Sequence, residues 1–316
     1  MEIRKKSVSD GTAANDHHTL FLLDNYLFEC NYESKVLSDD IVDSWVRTLK
    51  GKSKTINVKV CTVRTFVKYL NALDNPSFMP DMIRDKSDYM PYIFSNEEVE
   101  RIMNIADNII TNKAYRYSPY TALKVPMVIR ILYSCGTRLG ETMELKRKDI
   151  DFNKDTMFIR KAKRSKERLI PVHHSLMIIL EKYCLALGIL DKPNEYLFPG
   201  QKPERHFTER QMLTWFSKIL RICNIDQQKK KKGSRGACLH CFRHLFVLKS
   251  MQQLEAEGHS IDMNDLLLPT YLGHNGMIDT DKYMRFSGVQ VPEALDAFQN
   301  YTKGLIPDVE VPYEEE

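Results

Sequence analysis

The feature that most constrains the fold is a stripe of five aliphatic residues followed by its abrupt loss. Ile56, Val60, Val63, Val67 and Leu70 recur at i, i+4, i+7, i+11 and i+14, the repeat of a helix with one buried face. Their β-branching favours strands weakly, but a strand needs a period of two, so the spacing predicts a helix. Beyond it the pattern lapses over residues 75–91, where prolines stand at 76, 80 and 91 among mixed charges. That reads as a linker between two domains, and 316 residues suffice for two cores. We expect a first domain at 1–85, a second at 86–288 and a tail at 289–316.

The first domain reads as wholly helical. Leu20, Leu23 and Leu27 keep helical spacing, and Ser38 is placed to cap a helix carrying Ile41, Trp45 and Leu49 before Gly51. The second opens on Ser95-Asn96-Glu97-Glu98, a capping box ahead of Val99 and Ile102. A buried helix over about 121–135 should stop at Gly136. Two strand-like pieces, 156–159 and 168–172, flank a basic turn at 161–167, and helical patterns resume with Leu176, Ile179 and Leu180, then Met212, Trp215, Phe216 and Ile219. The fold class is mainly α with a small antiparallel sheet, an α+β arrangement.

Charge narrows the partner. The net charge of +4 is modest, yet residues 160–245 hold nineteen Lys or Arg against seven acids, and residues 306–316 hold five acids and no base. The local excess suits a polyanion. Apolar runs are far too short to cross a bilayer, which needs about 20 residues, so no membrane partner is expected. Met1 to Lys6 is not followed by the apolar core of a secretory signal. Seven scattered cysteines suit reduced thiols in a cytoplasm better than a disulfide framework.

Four separated pieces carry chemistry. Arg138 lies between Gly136 and Gly140, where a tight turn can present its planar fork to a phosphate, and Glu141 follows three residues on. The basic turn offers Lys161, Lys163, Arg164, Lys166 and Arg168, which suit DNA backbone contacts or one ammonium acting as a general acid. His240-Cys241-Phe242-Arg243 sets an imidazole and a guanidinium one helical turn apart. Leu272-Gly273-His274 precedes Tyr283 by nine residues, counted from His274, and a phenol near cations can act as a nucleophile. Taken singly, each piece is commonplace: an arginine at a helix end, a charged hairpin, a chance H-x-x-R, one packing tyrosine of fifteen.

In combination they are not. Arginine, turn lysine, H-x-x-R, Leu-Gly-His and tyrosine, in that order and spacing, resemble the tyrosine recombinases, a family that includes phage integrases and chromosome-dimer resolvases. The resemblance runs from about Leu20 to Gly288, strongest after Ser95. It implies a helical, SAM-like core-binding domain that joins a catalytic domain to clamp double-stranded DNA at specific recombination sites. It implies strand exchange by a homotetramer through a 3′-phosphotyrosyl link, without metal, ATP or other cofactor. Arg138 and Arg243 would grip the scissile phosphate, with His240 and His274 adding hydrogen bonds. Lys163, matched by way of Lys166-Glu167-Arg168-Leu169-Ile170-Pro171, would protonate the leaving 5′ oxygen, with Lys161 and Lys166 as alternatives, and Tyr283 would attack. Glu141 would support the arginine helix, while Lys161, Arg164, Lys166, Arg168, Lys229, Lys230, Lys231, Lys232 and Arg235 would contact DNA. A tail helix from Val291-Pro292, carrying Leu295 and Phe298, would dock on a neighbouring subunit. The setting implied is cytoplasmic and nucleoid-associated, and the first nineteen residues are too few and too polar for an arm-binding domain.

Three other readings compete. Cys238 and Cys241, with His240, His244 or Cys223, suggest zinc, but a structural site wants a second similarly spaced pair. A type IB topoisomerase shares the chemistry yet favours Lys where His240 stands. A silent DNA-binding relative would have lost an essential position, and none is missing here.

Overall fold

The computed structural model describes residues 6–84, 91–109, 120–160, 167–202, 204–225, 236–258 and 268–273. The chain divides into two compact units, Met1–Asp88 and Tyr89–Glu316.

The first unit is built from α1 (Asp10–Glu29), α2 (Asp39–Thr48) and α3 (Ser53–Asn71). Ser9 caps α1 by accepting from the Thr12 amide at 3.4 Å. The aliphatic stripe forms the inner face of α3, with Val60, Val63 and Val67 fully buried, and Leu23, Leu37, Val42 and Trp45 close the core. Inside this apolar setting the Thr62 hydroxyl donates to Asp16 at 2.7 Å, tying α3 to α1. Two expectations need correction. Ser38 precedes α2 without a side-chain cap bond, and the helix ends at Thr48, with Leu49 as its C-cap and short of Gly51, and with the acids Asp39 and Asp40 in its first turn. Residues 75–84, expected as linker, are laced into this unit. Ser77 Oγ accepts from the Leu37 amide at 3.0 Å, and Phe78 N donates to the Leu37 carbonyl at 2.8 Å. The Asn57 side chain pairs with both backbone groups of Ile83, at 2.7 and 2.9 Å. Side-chain amides thus satisfy a backbone that prolines keep out of regular structure.

The second unit opens with α4 (Asn96–Asp107), whose capping box is complete: Ser95 Oγ accepts from Glu98 N at 3.2 Å, and Glu98 Oε2 from Ser95 N at 3.0 Å. Next comes α5 (Thr121–Cys135), the axis of the core, with Val125, Val128, Ile129 and Ile131 fully buried. Arg130, the one charge inside its apolar run, reaches back to Asp107 through two bonds of 2.8 and 2.7 Å. The short α6 (Leu139–Met143) leads to β1 (Ile150–Asp151), β2 (Thr156–Ile159) and β3 (Arg168–Pro171), an antiparallel sheet in that order with Ile159 opposite Arg168. The two-residue β1 carries no periodic signal and was not expected. Then follow α7 (His174–Leu187), α8 (Glu209–Ile222) and α9 (His240–Ala256). On α7 the buried face is Leu176, Met177, Leu180, Tyr183 and Cys184, while Ile179 stands 43% exposed, outside the face expected for it. Phe94, Phe216 and Phe242 pack ring on ring between the start of the unit, α8 and α9.

Candidate active site

The carboxyl end of α5 begins the site. Gly136 adopts φ +57°, a left-handed helix stop that favours glycine. A Cβ there would meet Phe246 Cδ1 at 2.4 Å, so the residue is confined by space as well as by dihedral angle. The chain turns so that Arg138 sits in extended conformation at the N-cap of α6. Its backbone N–H donates to Glu141 Oε2 at 3.0 Å and its Nη1 to Oε1 at 2.7 Å, while the side chain stays 28% exposed. The i, i+3 spacing read in the sequence thus lets the Glu141 carboxylate accept from both the backbone and the guanidinium of Arg138.

Glu141 serves a second arginine. From the start of β3, Arg168 donates Nη2 to Oε2 at 2.8 Å and Nη1 to Oε1 at 3.3 Å. Burial pushes the Glu141 carboxyl up, but hydrogen bonds from Arg168 and from the Arg138 backbone outweigh it and hold the group below its ordinary range. Arg168 was expected on the DNA. Its side chain is only 10% exposed and it faces inward, toward Glu141 and the Tyr271 carbonyl, where Nε donates at 2.8 Å.

Arg243 lies deeper still, 1% exposed. Nη1 donates to the Gly136 carbonyl at 2.6 Å and Nη2 to the Leu272 carbonyl at 3.0 Å. His240, one turn earlier at the start of α9, is exposed, and its ring meets His244 edge-on at 4.8 Å. Burial, with His240 and Arg243 nearby, pulls the His244 imidazole down to about 3, so it is neutral at physiological pH. Cys238 and Cys241 face each other with sulfurs 3.5 Å apart. Among the described residues no three His, Cys, Asp or Glu side chains group as metal ligands.

The helical stretch 268–272 completes the cluster. Leu272 is fully buried, and Tyr271 stacks on Phe246 at 5.4 Å with its hydroxyl toward the Pro171 carbonyl at 3.3 Å. Burial raises the Tyr271 phenol well above its usual range. A packed, protonated phenol bonded to a carbonyl is a poor nucleophile.

Pieces spread along the chain from Gly136 to Gly273 thus meet: the Arg138 turn, the first residue of β3, the His240–Arg243 turn, and Leu272-Gly273. Lys161, Lys163, Arg164, Lys166, Lys229, Lys230, Lys231, Lys232, Arg235, His274, Tyr283, and the tail with Leu295 and Phe298 lie outside the described residues. Sequence reasoning missed the inward role of Arg168, for which the basic turn gives no separate signal. It also missed Lys124, fully buried on α5 with Nζ on the Pro199 carbonyl at 2.5 Å. Among the described residues no helix is long and apolar enough to cross a membrane.

Residues 93–285 match the model of the phage integrase family. The Sinorhizobium fredii protein y4rB, provisionally described as an integrase/recombinase, is 30% identical over 255 residues, 74% of each chain. The tyrosine recombinase XerC of Staphylococcus epidermidis is 24% identical over 308 residues, 95% of each chain. Among solved structures, the Tn1549 transposon integrase in complex with transposon right end DNA superposes with a TM-score of 0.64 at 16% identity, over 95% of this chain and 96% of that one. XerH in its pre-cleavage complex with difH gives 0.63 at 18% identity, over 88% and 76%. The structural likenesses establish the fold. The family match over well more than half of the length, with relatives aligned through both units, makes this chain a member of the phage integrase family, the tyrosine-type site-specific DNA recombinases.

Proposed function

We propose that the chain cleaves and rejoins double-stranded DNA at specific sites through a 3′-phosphotyrosyl intermediate on Tyr283. In this reading Arg138 holds a non-bridging oxygen of the scissile phosphate through its exposed side chain, and Arg243, whose Nη1 and Nη2 rest on the Gly136 and Leu272 carbonyls, turns one nitrogen to the phosphate when DNA is bound. His240 and His274 hydrogen-bond that phosphate, and His240 assists removal of the tyrosine proton. Lys163, five residues before β3 in the sequence, protonates the leaving 5′ oxygen, with Lys161 and Lys166 as alternatives. Two guanidiniums, two imidazoles and an ammonium supply the positive charge and the protons, so the chemistry asks for no metal. Preorganised donors of this kind contribute about 2.7–4 kcal/mol each to barrier lowering. The ester bond energy is kept in the phosphotyrosyl link, so rejoining asks for no ATP. The first unit, through residue 85, would bind the recombination core site and residues 86–288 would do the chemistry. The tail from 289 onward would bind a neighbouring subunit in a homotetramer on two DNA segments. The tetralysine and Arg235 would add phosphate contacts, and the whole would work in the cytoplasm on the nucleoid.

The observation that carries this reading is the meeting of the Arg138 turn, the His240–Arg243 turn and the Leu272-Gly273 segment around one buried guanidinium. The residue after Gly273 is His274, and Tyr283 follows nine later. The DNA-bound Tn1549 integrase and XerH supply the analogy for the partner. The test is a nicked substrate carrying the chain's own recombination site, which traps covalent protein. Tyr283→Phe should bind it normally and form no covalent complex. A complex that persists in this variant would overturn the assignment and turn attention to Tyr301, because the Tyr271 phenol is packed and bonded.

A further inference from the structure

We infer that Arg168 is a positioning residue that takes up the charge of Glu141, leaving Arg138 able to serve the scissile phosphate. The inference rests on the proposed role of Arg138.

Glu141 is 5% exposed and lies between two arginines. Were Arg138 its only partner, the bond of 2.7 Å from Nη1 would make a neutral pair. A guanidinium neutralised in that way attracts a phosphate weakly, since the carboxylate and the phosphate compete for the same charge. Arg168 changes the count. Two arginines on one carboxylate leave a net charge of +1, and geometry decides where that charge is available. All three nitrogens of the Arg168 guanidinium are engaged: Nη2 and Nη1 on Glu141 at 2.8 and 3.3 Å, and Nε on the Tyr271 carbonyl at 2.8 Å. Its side chain is 10% exposed against 28% for Arg138, so the accessible cation is Arg138.

The placement is enforced from several sides. Gly273, at φ +66°, lies against the Arg168 guanidinium, where a Cβ would come within 3.1 Å of Nη1 and 3.4 Å of Cζ. The Leu272 carbonyl, one residue before, accepts from Arg243. Tyr271, whose carbonyl Arg168 holds, reaches the Pro171 carbonyl of β3 through its hydroxyl. Arg168 therefore ties β3 to the Arg138 turn and to the residues just ahead of His274.

The test compares wild type, Arg168→Met, Arg168→Lys, Glu141→Gln and the double variant Arg168→Met/Glu141→Gln. Measured for each are the cleavage rate at saturating DNA, the DNA Kd against salt, and the melting temperature. Arg168→Met should slow cleavage roughly 10–100-fold, the range of mutated supporting residues at other sites. Its salt slope should fall by no more than about one, through the neutralised Arg138, and should return to the wild-type value in the double variant. The double variant should cleave faster than Arg168→Met, since removing the carboxylate frees Arg138 again. It also buries two neutral groups where Arg168→Met leaves a buried carboxylate with only one of its two arginines, so it keeps the test open if Arg168→Met fails to fold. Arg168→Lys, which keeps the charge without the fork, should fall between. A double variant no faster than the worse single would overturn the charge argument. A salt slope that stays lowered by about one in the double variant, where Arg138 is free, would make Arg168 itself a phosphate contact and overturn the inference as well. A wild type forming no Tyr283-dependent covalent complex would instead refute the catalytic reading beneath it.

Discussion

Replacing Gly136 by alanine tests how tightly the backbone of the site is determined. Two independent terms oppose the substitution. At φ +57° a residue with a Cβ pays about 1–2 kcal/mol for the left-handed conformation. The new methyl would also stand 2.4 and 2.8 Å from Cδ1 and Cγ of Phe246, so the ring must retreat by about 1 Å to reach ordinary contact. Retreat is resisted because Phe246 stacks on Tyr271 with ring planes 22° apart. Overpacking of this kind costs about 1–3 kcal/mol. The sum, about 2–5 kcal/mol, corresponds to a fall of roughly 5–15 °C in the melting of the Tyr89–Glu316 unit. Circular dichroism melts of Gly136→Ala in wild-type and Phe246→Ala backgrounds separate the terms. Removing the ring should leave only the conformational penalty of about 1–2 kcal/mol. Equal losses in both backgrounds would refute the clash, and a fall below about 2 °C in the wild-type background would refute both terms. Cleavage should slow along with stability, because the Gly136 carbonyl holds Arg243.

Three further outcomes are expected. Burial pulls the Lys124 ammonium down to about 8 from an ordinary 10.5. A depressed pKa in the fold means stability is greatest above 10.5 and falls as pH drops through 8. Wild type should therefore gain on Lys124→Met, on the order of 2 kcal/mol, between pH 7 and 10 in urea titrations, and a pH-independent gap would refute the buried charge. Replacing Lys229 to Lys232 by alanine should flatten the salt dependence of DNA binding by up to about 3.6 in slope without stopping cleavage at saturation. An unchanged slope would remove those lysines from the interface. Elemental analysis of purified protein should find less than one equivalent of zinc, and a stoichiometric amount would conflict with the role proposed for His240.

Much of this protein was legible in its sequence because the relevant forces are local. The stripe from Ile56 to Leu70 specifies α3, since only a period near 3.6 puts all five side chains on one face. The Ser95–Glu98 box starts α4, and Gly136 ends α5, through bonds and dihedrals within a few residues. The order of the four motif pieces carried the family, and the comparisons establish it. What the tertiary structure decided is everything that depends on residues distant in the chain. Residues 75–84 look like a linker until Ser77 and Asn57 supply the partners that hold them on the first core. Arg168 looks like one more charge on a basic turn until Glu141 and the Tyr271 carbonyl, 27 and 103 residues away, engage it. A guanidinium offers the same donors wherever it stands. Whether it faces solvent and DNA or a buried carboxylate depends on which acceptors the fold delivers to it, and composition and spacing hold no record of that.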